Sequence, residues 1–189
     1  MEILEREKEE AFQDDTKESE ISTEIKSAVI EEKNLEEEVV AEKREQIITE
    51  AMKYIWKQYK RGQANPEKYF DCSGFINYIL CKVFNKHTSE IPRSTKMIYQ
   101  QYRKFRVAPN LAQDWDIVLF LNKSWVPYHG EILTDFNNQK KEISCIGSAS
   151  RVEKAPDGKL YKPWVDKRTR EYNTQKYLII DTKKIMGIG

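Results

Sequence analysis

Cys72 and His129 are the two side chains of this chain best suited to covalent chemistry. Cys72 lies where a strongly apolar helix is predicted to begin. Backbone N–H groups and the positive end of the helix dipole favour a thiolate there, and the thiolate is the nucleophilic form of cysteine. The same N–H groups are placed to stabilise an oxyanion. A cysteine nucleophile needs a neighbouring base, usually histidine. His129 opens a predicted strand, after the polar aromatic loop KSWVPY, and is one of only two histidines. The other, His87, sits in the polar stretch NKHTSE and reads as a surface or capping residue. An unreactive buried cysteine is common, so position alone leaves Cys72 open to a packing role as well.

The remaining cysteines, Cys81 and Cys145, read as packing. Cys81 follows Cys72 by nine residues, which is two and a half turns of helix and therefore the opposite face. An odd count of three rules out full internal pairing. No Cys-x-x-Cys occurs and histidine is scarce, so no structural zinc site is expected. No metal or cofactor is expected from this residue set.

The elements that must hold the pair follow from periodicity. Ile47, Ile48, Ala51, Tyr54, Ile55 and Gln58 recur at helical spacing, predicting an amphipathic helix from about Glu42 to Tyr59–Gly62. Phe75, Ile76, Ile79, Leu80, Val83 and Phe84 form a broad apolar stripe, with Asp71 or Ser73 as the capping oxygen at its start. A short helix is predicted over Thr95–Tyr102 after Pro92. Asp116–Leu121, His129–Phe136, Glu142–Ser148 and Tyr177–Asp181 read as strands, with a hairpin signal at Asn137–Asn138. Helices first and consecutive strands afterwards predict an α+β domain with an antiparallel sheet.

Charge divides the chain. Residues 1–50 hold 18 acidic and 7 basic side chains, a net of −11, whereas the remainder is net +12. Residues 1–40 contain no Gly or Pro and are rich in Glu, Lys, Ser and Thr. That composition cannot bury enough apolar surface to fold alone. The expected organisation is an acidic flexible or helical arm, 1–41, and a globular domain, 42–189. The domain's positive charge suits an anionic partner such as wall peptide carboxylates or nucleic acid. No Gly-rich phosphate loop or RNA-stacking motif accompanies it, so nucleic acid is not expected. No apolar run is long enough to span a membrane. The start MEILEREKEE lacks the basic end and apolar stretch of a signal peptide. The expected location is the cell envelope or outside the cell if a signal was removed, with the cytoplasm as the alternative.

Five blocks, in order, resemble the NlpC/p-sixty family of cell-wall cysteine peptidases. FDCSGF at 70–75 resembles the family's nucleophile motif. Tyr59-x-x-Gly62 precedes it as in the family, and IPRST (Ile91–Thr95) resembles its Pro-Arg segment. DWDIVLF (114–120) resembles its Gly-Asp-Leu-Val-Phe-Phe strand, with Trp115 where Gly is usual. HGEI (129–132) resembles its His-Val-Gly-Ile strand, with Gly one place early. The resemblance spans roughly residues 45–182.

It implies a papain-like fold with the nucleophile helix packed on a small antiparallel sheet. It also implies a thiol peptidase or amidase acting on peptidoglycan stem peptides, often beside γ-D-glutamyl. Cys72 would attack the carbonyl and His129 would carry the proton. Tyr59, Asp71 and Ser73 stand where family members hold substrate, and Arg93 would serve either structure or a substrate carboxylate. The family places His, Asn or Gln on the next strand to orient the histidine. There the sequence reads SCIGSASRV, with Ser148 the nearest polar side chain and Gly147 the position that aligns.

Two other readings stay open: an amidase or acyltransferase for another substrate, and a binding protein with impaired chemistry. The first draws on the aromatics Trp125, Tyr128, Tyr161 and Trp164, which equally could cover the sheet.

Overall fold

The computed structural model describes residues 2–137, 142–148, 153–154, 160–161, 165–171 and 176–188. In order these form helix α1 (Glu2–Met52) and three two-residue strands, β1 (Gln58–Tyr59), β2 (Ala64–Asn65) and β3 (Tyr69–Phe70). Helices α2 (Cys72–Val83) and α3 (Thr95–Tyr102) follow, then β4 (Arg106–Val107) and β5 (Ile117–Leu121). The long strands β6 (Pro127–Asn137) and β7 (Glu142–Ser148) come next. The chain then forms β8 (Glu153–Lys154), β9 (Leu160–Tyr161), β10 (Val165–Glu171), β11 (Lys176–Ile180) and α4 (Thr182–Met186). The fold is α+β, and the six-stranded sheet has the order β10-β7-β6-β5-β11-β4. Every neighbouring pair in it is antiparallel.

Two compact units divide at Ala41/Glu42. In the first, residues 25–38 are exposed on all sides, including Ile25, Val29, Ile30 and Leu35. An i,i+4 ion pair, Lys33–Glu37 at 3.9 Å, is of the kind that supports an exposed helix by a few tenths of a kcal/mol.

In the second unit the apolar stripe of α2 is buried as its period demands: Phe75, Ile76, Ile79 and Leu80 are all inaccessible to solvent. They share the core with Ile47 and Ala51 of α1, and with Ile117, Leu119, Ile132 and Ile146 of the sheet. Burying each such side chain contributes about 1.5–3 kcal/mol against its exposed state. A further cluster joins Val118, Phe120, Leu133, Ile143, Cys145 and Ile179. Cys145 therefore packs as expected. Cys81 is also buried, its thiol donating to the His87 carbonyl at 3.5 Å. Burial, and then the charge of Glu90, pushes the Cys81 thiol pKa up.

The helix expected to run to Tyr59–Gly62 stops at Met52. Its successor residues bond elsewhere: the Trp56 N–H donates to the Val165 carbonyl at 2.9 Å, and the Val165 N–H to the Lys57 carbonyl at 2.7 Å. Trp56 takes a left-handed φ of 75° to do so. Pairing with a distant strand outweighs the local helical pattern.

That strand, β10, lies in what the sequence presents as a charged tail. VDKRTRE pairs residue by residue with β7, Val165 opposite Ser148 through Glu171 opposite Glu142. Edge strands need backbone partners more than apolar side chains, and charge on them discourages edge-to-edge association. The Asn137–Asn138 turn is described only to Asn137. Trp164 lies outside the described residues, and of Tyr161 only the backbone is described.

Trp115, at the position where the resemblance leads one to expect glycine, has φ 90°. It is nonetheless buried, 1% exposed, and its N–H donates to the Leu133 carbonyl at 2.7 Å. Burial of the indole against Phe84, with ring centroids 6.4 Å apart, offsets a backbone conformation that costs about 1–3 kcal/mol.

Candidate active site

The start of α2 is built by Asp71. One carboxylate oxygen accepts the Gly74 N–H at 2.5 Å, capping the helix, and the other accepts the Gly62 N–H at 2.6 Å. Tyr59-x-x-Gly62 and Asp71-Cys72-Ser73-Gly74 are thus joined through one side chain. Arg93 Nη1 stands 3.5 Å from the same carboxylate, and the Ser73 hydroxyl donates to the Arg93 carbonyl at 2.8 Å. Asp71 and Ser73 are both buried. Gly74 has to lack a side chain, because a Cβ would run into the Gln63 carbonyl and the Asp71 carboxylate. The outcome is a rigid pedestal that places Cys72 at the first position of α2, partly exposed.

Tyr59 reaches this pedestal because β1 pairs with β3, setting Tyr59 opposite Phe70. Burial, followed by the negative charges of Cys72 and Asp71, raises the phenol pKa. Tyr59 therefore stands as a neutral hydroxyl close to Cys72.

His129 comes from the other side, on β6. Its ring is 13% exposed and stacks on Phe120, centroids 5.8 Å apart at 23°. The ring lies beside the Cys72 sulfur, close enough for the two groups to interact. Its Nε2 lies 2.9 Å from Glu131 Oε1. Burial by itself would depress the ring's pKa. Interaction with Cys72, and with the Glu131 carboxylate that bonds the ring, overcomes that and raises it from 6.5 to about 9.

The structure thus brings Cys72 and His129 together, with Tyr59, Asp71, Ser73 and Arg93 around the cysteine. It corrects the expectation for Ser148. That hydroxyl is fully buried and donates to the Phe70 carbonyl at 2.8 Å, so it ties β7 to the strand leading into α2. The polar group on the His129 ring is Glu131, which is inaccessible to solvent. The signal for it was present in HGEI: side chains two apart on a strand share a face. His87 is exposed, its Nδ1 2.7 Å from the Ser89 hydroxyl. Among the described residues no cluster of three His, Cys, Asp or Glu could hold a metal ion, and no helix is long and apolar enough to cross a membrane.

No family model and no curated protein matches the sequence. Solved structures do. The NlpC/p60 domain of the peptidoglycan hydrolase SagA aligns with a TM-score of 0.51 at 21% identity, over 73% of this chain and 98% of that domain. A lipoprotein-like member of the NLP/P60 family from Staphylococcus aureus aligns over 70% of this chain and 37% of its own, at 21% identity and a TM-score of 0.45. NlpC1 from Trichomonas vaginalis aligns over 73% and 41%, at 14% identity and a TM-score of 0.46. The chain carries the papain-like fold of an NlpC/p60 domain.

Proposed function

We propose that this protein is a cysteine peptidase or amidase that hydrolyses amide bonds in the stem peptides of peptidoglycan, γ-D-glutamyl bonds among them. The observation that carries the proposal is the juxtaposition of Cys72, at a helix N-terminus, with His129. The SagA domain, whose fold this chain shares, is described as part of a peptidoglycan hydrolase, and that supports the choice of substrate.

With His129 raised to about 9, the ring is an imidazolium at neutral pH, and the form of its partner that reacts is the Cys72 thiolate. The sulfur adds to the scissile carbonyl. The resulting oxyanion is met by the Cys72 and Ser73 N–H groups at the head of α2, with the helix dipole behind them. As the tetrahedral intermediate collapses, His129 gives its proton to the departing amine and a thioester remains on Cys72. His129, now neutral, takes a proton from water; the hydroxide adds to the thioester, and the acid and the Cys72 thiolate separate as the imidazolium re-forms.

Asp71 and Ser73 serve first as the pedestal, their polar atoms being used within the protein. Tyr59 is left as the hydroxyl that contacts substrate, and Arg93 acts through Asp71. The arm, residues 1–41, spaces the domain from whatever anchors it.

The test is release of new amine from purified stem peptides. Cys72→Ala should lower it by more than about a thousandfold; undiminished release would remove Cys72 from the mechanism. A second reading, an amidase or acyltransferase for another substrate, draws on Trp125 and Tyr128, which are 59% and 49% exposed just before His129. Turnover of a non-peptide amide or ester that exceeds stem-peptide cleavage would favour it.

A further inference from the structure

Glu131 is a fully buried carboxylate two residues from His129. Burying an ionised carboxylate is costly unless it is paired and hydrogen-bonded, so its retention on a sheet calls for a use. Its Oε1 is within hydrogen-bond distance of His129 Nε2. The room it occupies is also specific. The antiparallel register, with Ile132 opposite Ile146, sets Glu131 opposite Gly147. A Cβ added at Gly147 would overlap Glu131 Cγ, and would come within 3.0 Å of its Cβ and 3.2 Å of its Cδ. A side chain from 147 would pass through the same volume that Glu131 fills. Only one of the two strands can supply it.

We propose that Glu131 is the positioning residue of His129, and that Gly147 is the clearance on β7 that lets it reach the ring. A histidine that relays a proton needs its second nitrogen held, so that the first points at the nucleophile in the right tautomer. In this chain the holding group is charged and comes from the histidine's own strand. An anion there stabilises the imidazolium as well as orienting it. Among the described residues, groups facing the pair include the Cys72 sulfur from α2, the Phe120 ring from β5 and the neighbouring Tyr128 ring. Beyond the sulfur stand Tyr59 and Asp71, the latter paired with Arg93. Glu131 is therefore the carboxylate in direct contact with the imidazole.

The inference rests on Cys72 and His129 being the reacting pair, but its test needs no wall peptide. The chain has two histidines, so ring titration by NMR reads His129 with exposed His87 as internal control. Alkylation reads Cys72 against the buried Cys81 and Cys145. Glu131→Gln keeps the shape and removes the charge. It should lower the His129 midpoint by about one pH unit or more, leaving His87 unchanged. Glu131→Ala should slow Cys72 alkylation at neutral pH by about a hundredfold. Gly147→Ala should lower the His129 midpoint although the carboxylate is still present. The double variant E131G/G147Q, which refills the volume from β7, should regain at least about tenfold of the alkylation rate lost in Glu131→Ala.

A wild-type His129 midpoint in Glu131→Gln overturns the positioning role, and that variant is isosteric enough to fold. An unchanged midpoint in Gly147→Ala, or a natively melting double variant with no recovery, overturns the clearance. Failure to cleave stem peptides with these shifts intact would count against the substrate and leave the inference standing.

Discussion

The two halves of the active site are built differently. The Cys72 half is local: residues 59–74 and Arg93 close on one carboxylate, and its bonds join positions no more than 22 residues apart. The His129 half is spread over β5, β6 and β7, with a stacked ring from Phe120, an acid from Glu131 and a missing side chain at Gly147. A local pedestal is constrained by capping and turn chemistry, so its residue types are nearly dictated. A cross-strand cradle only requires that one volume be filled once, and several residue assignments do that.

The contrast can be broken by mutation. The largest effect on stability is expected from Asp71→Ala. It removes a helix cap and the acceptor for Gly62, and it leaves Arg93 without its carboxylate. A loss of about 2–3 kcal/mol follows, read by chemical denaturation. A loss below about 0.5 kcal/mol would mean the pedestal is not what holds Cys72.

The strand half should declare itself through pH. The His129 pKa is raised in the folded protein, from 6.5 to about 9. Its contribution to stability is therefore complete below pH 6.5 and is lost as pH rises through about 9. Unfolding free energy should fall across that window, and Glu131→Gln should flatten the fall. A profile that is level from pH 6 to 9.5 in both proteins would contradict the cradle.

Ser148→Ala sharpens the comparison further. The hydroxyl bonds the Phe70 carbonyl, not His129. About 1 kcal/mol of stability should go, while the Cys72 alkylation rate stays within twofold. A collapse in that rate would return Ser148 to the site. The smallest effect is expected from deleting residues 1–40, outside the unit that begins at Glu42. Alkylation and stem-peptide hydrolysis should both be unchanged, and loss of either would give the arm a part in the chemistry.

Much of this was readable in the chain itself. The stripe of α2, a cap from Asp71 or Ser73 and the span Thr95–Tyr102 follow from helical period and cap chemistry, both of which act within a few residues. Strands β5, β6 and β7 follow from short apolar, β-branched runs. Three features did not. The end of α1 at Met52, and the existence of β10, depend on one another through the backbone bonds between Trp56, Lys57 and Val165, more than a hundred residues apart. The resemblance points to β7, at Ser148, for the polar partner of His129, whereas that partner stands on β6, at Glu131.

Local order comes from interactions along the chain, which residue type and spacing encode directly. Which of two facing strands fills a shared space comes from packing, and packing depends on where the other strand's side chain is absent. Cys72 could be placed at the head of α2 from its neighbours alone. The hand that holds His129 was decided by the clearance at Gly147, where a single added carbon would exclude the carboxylate.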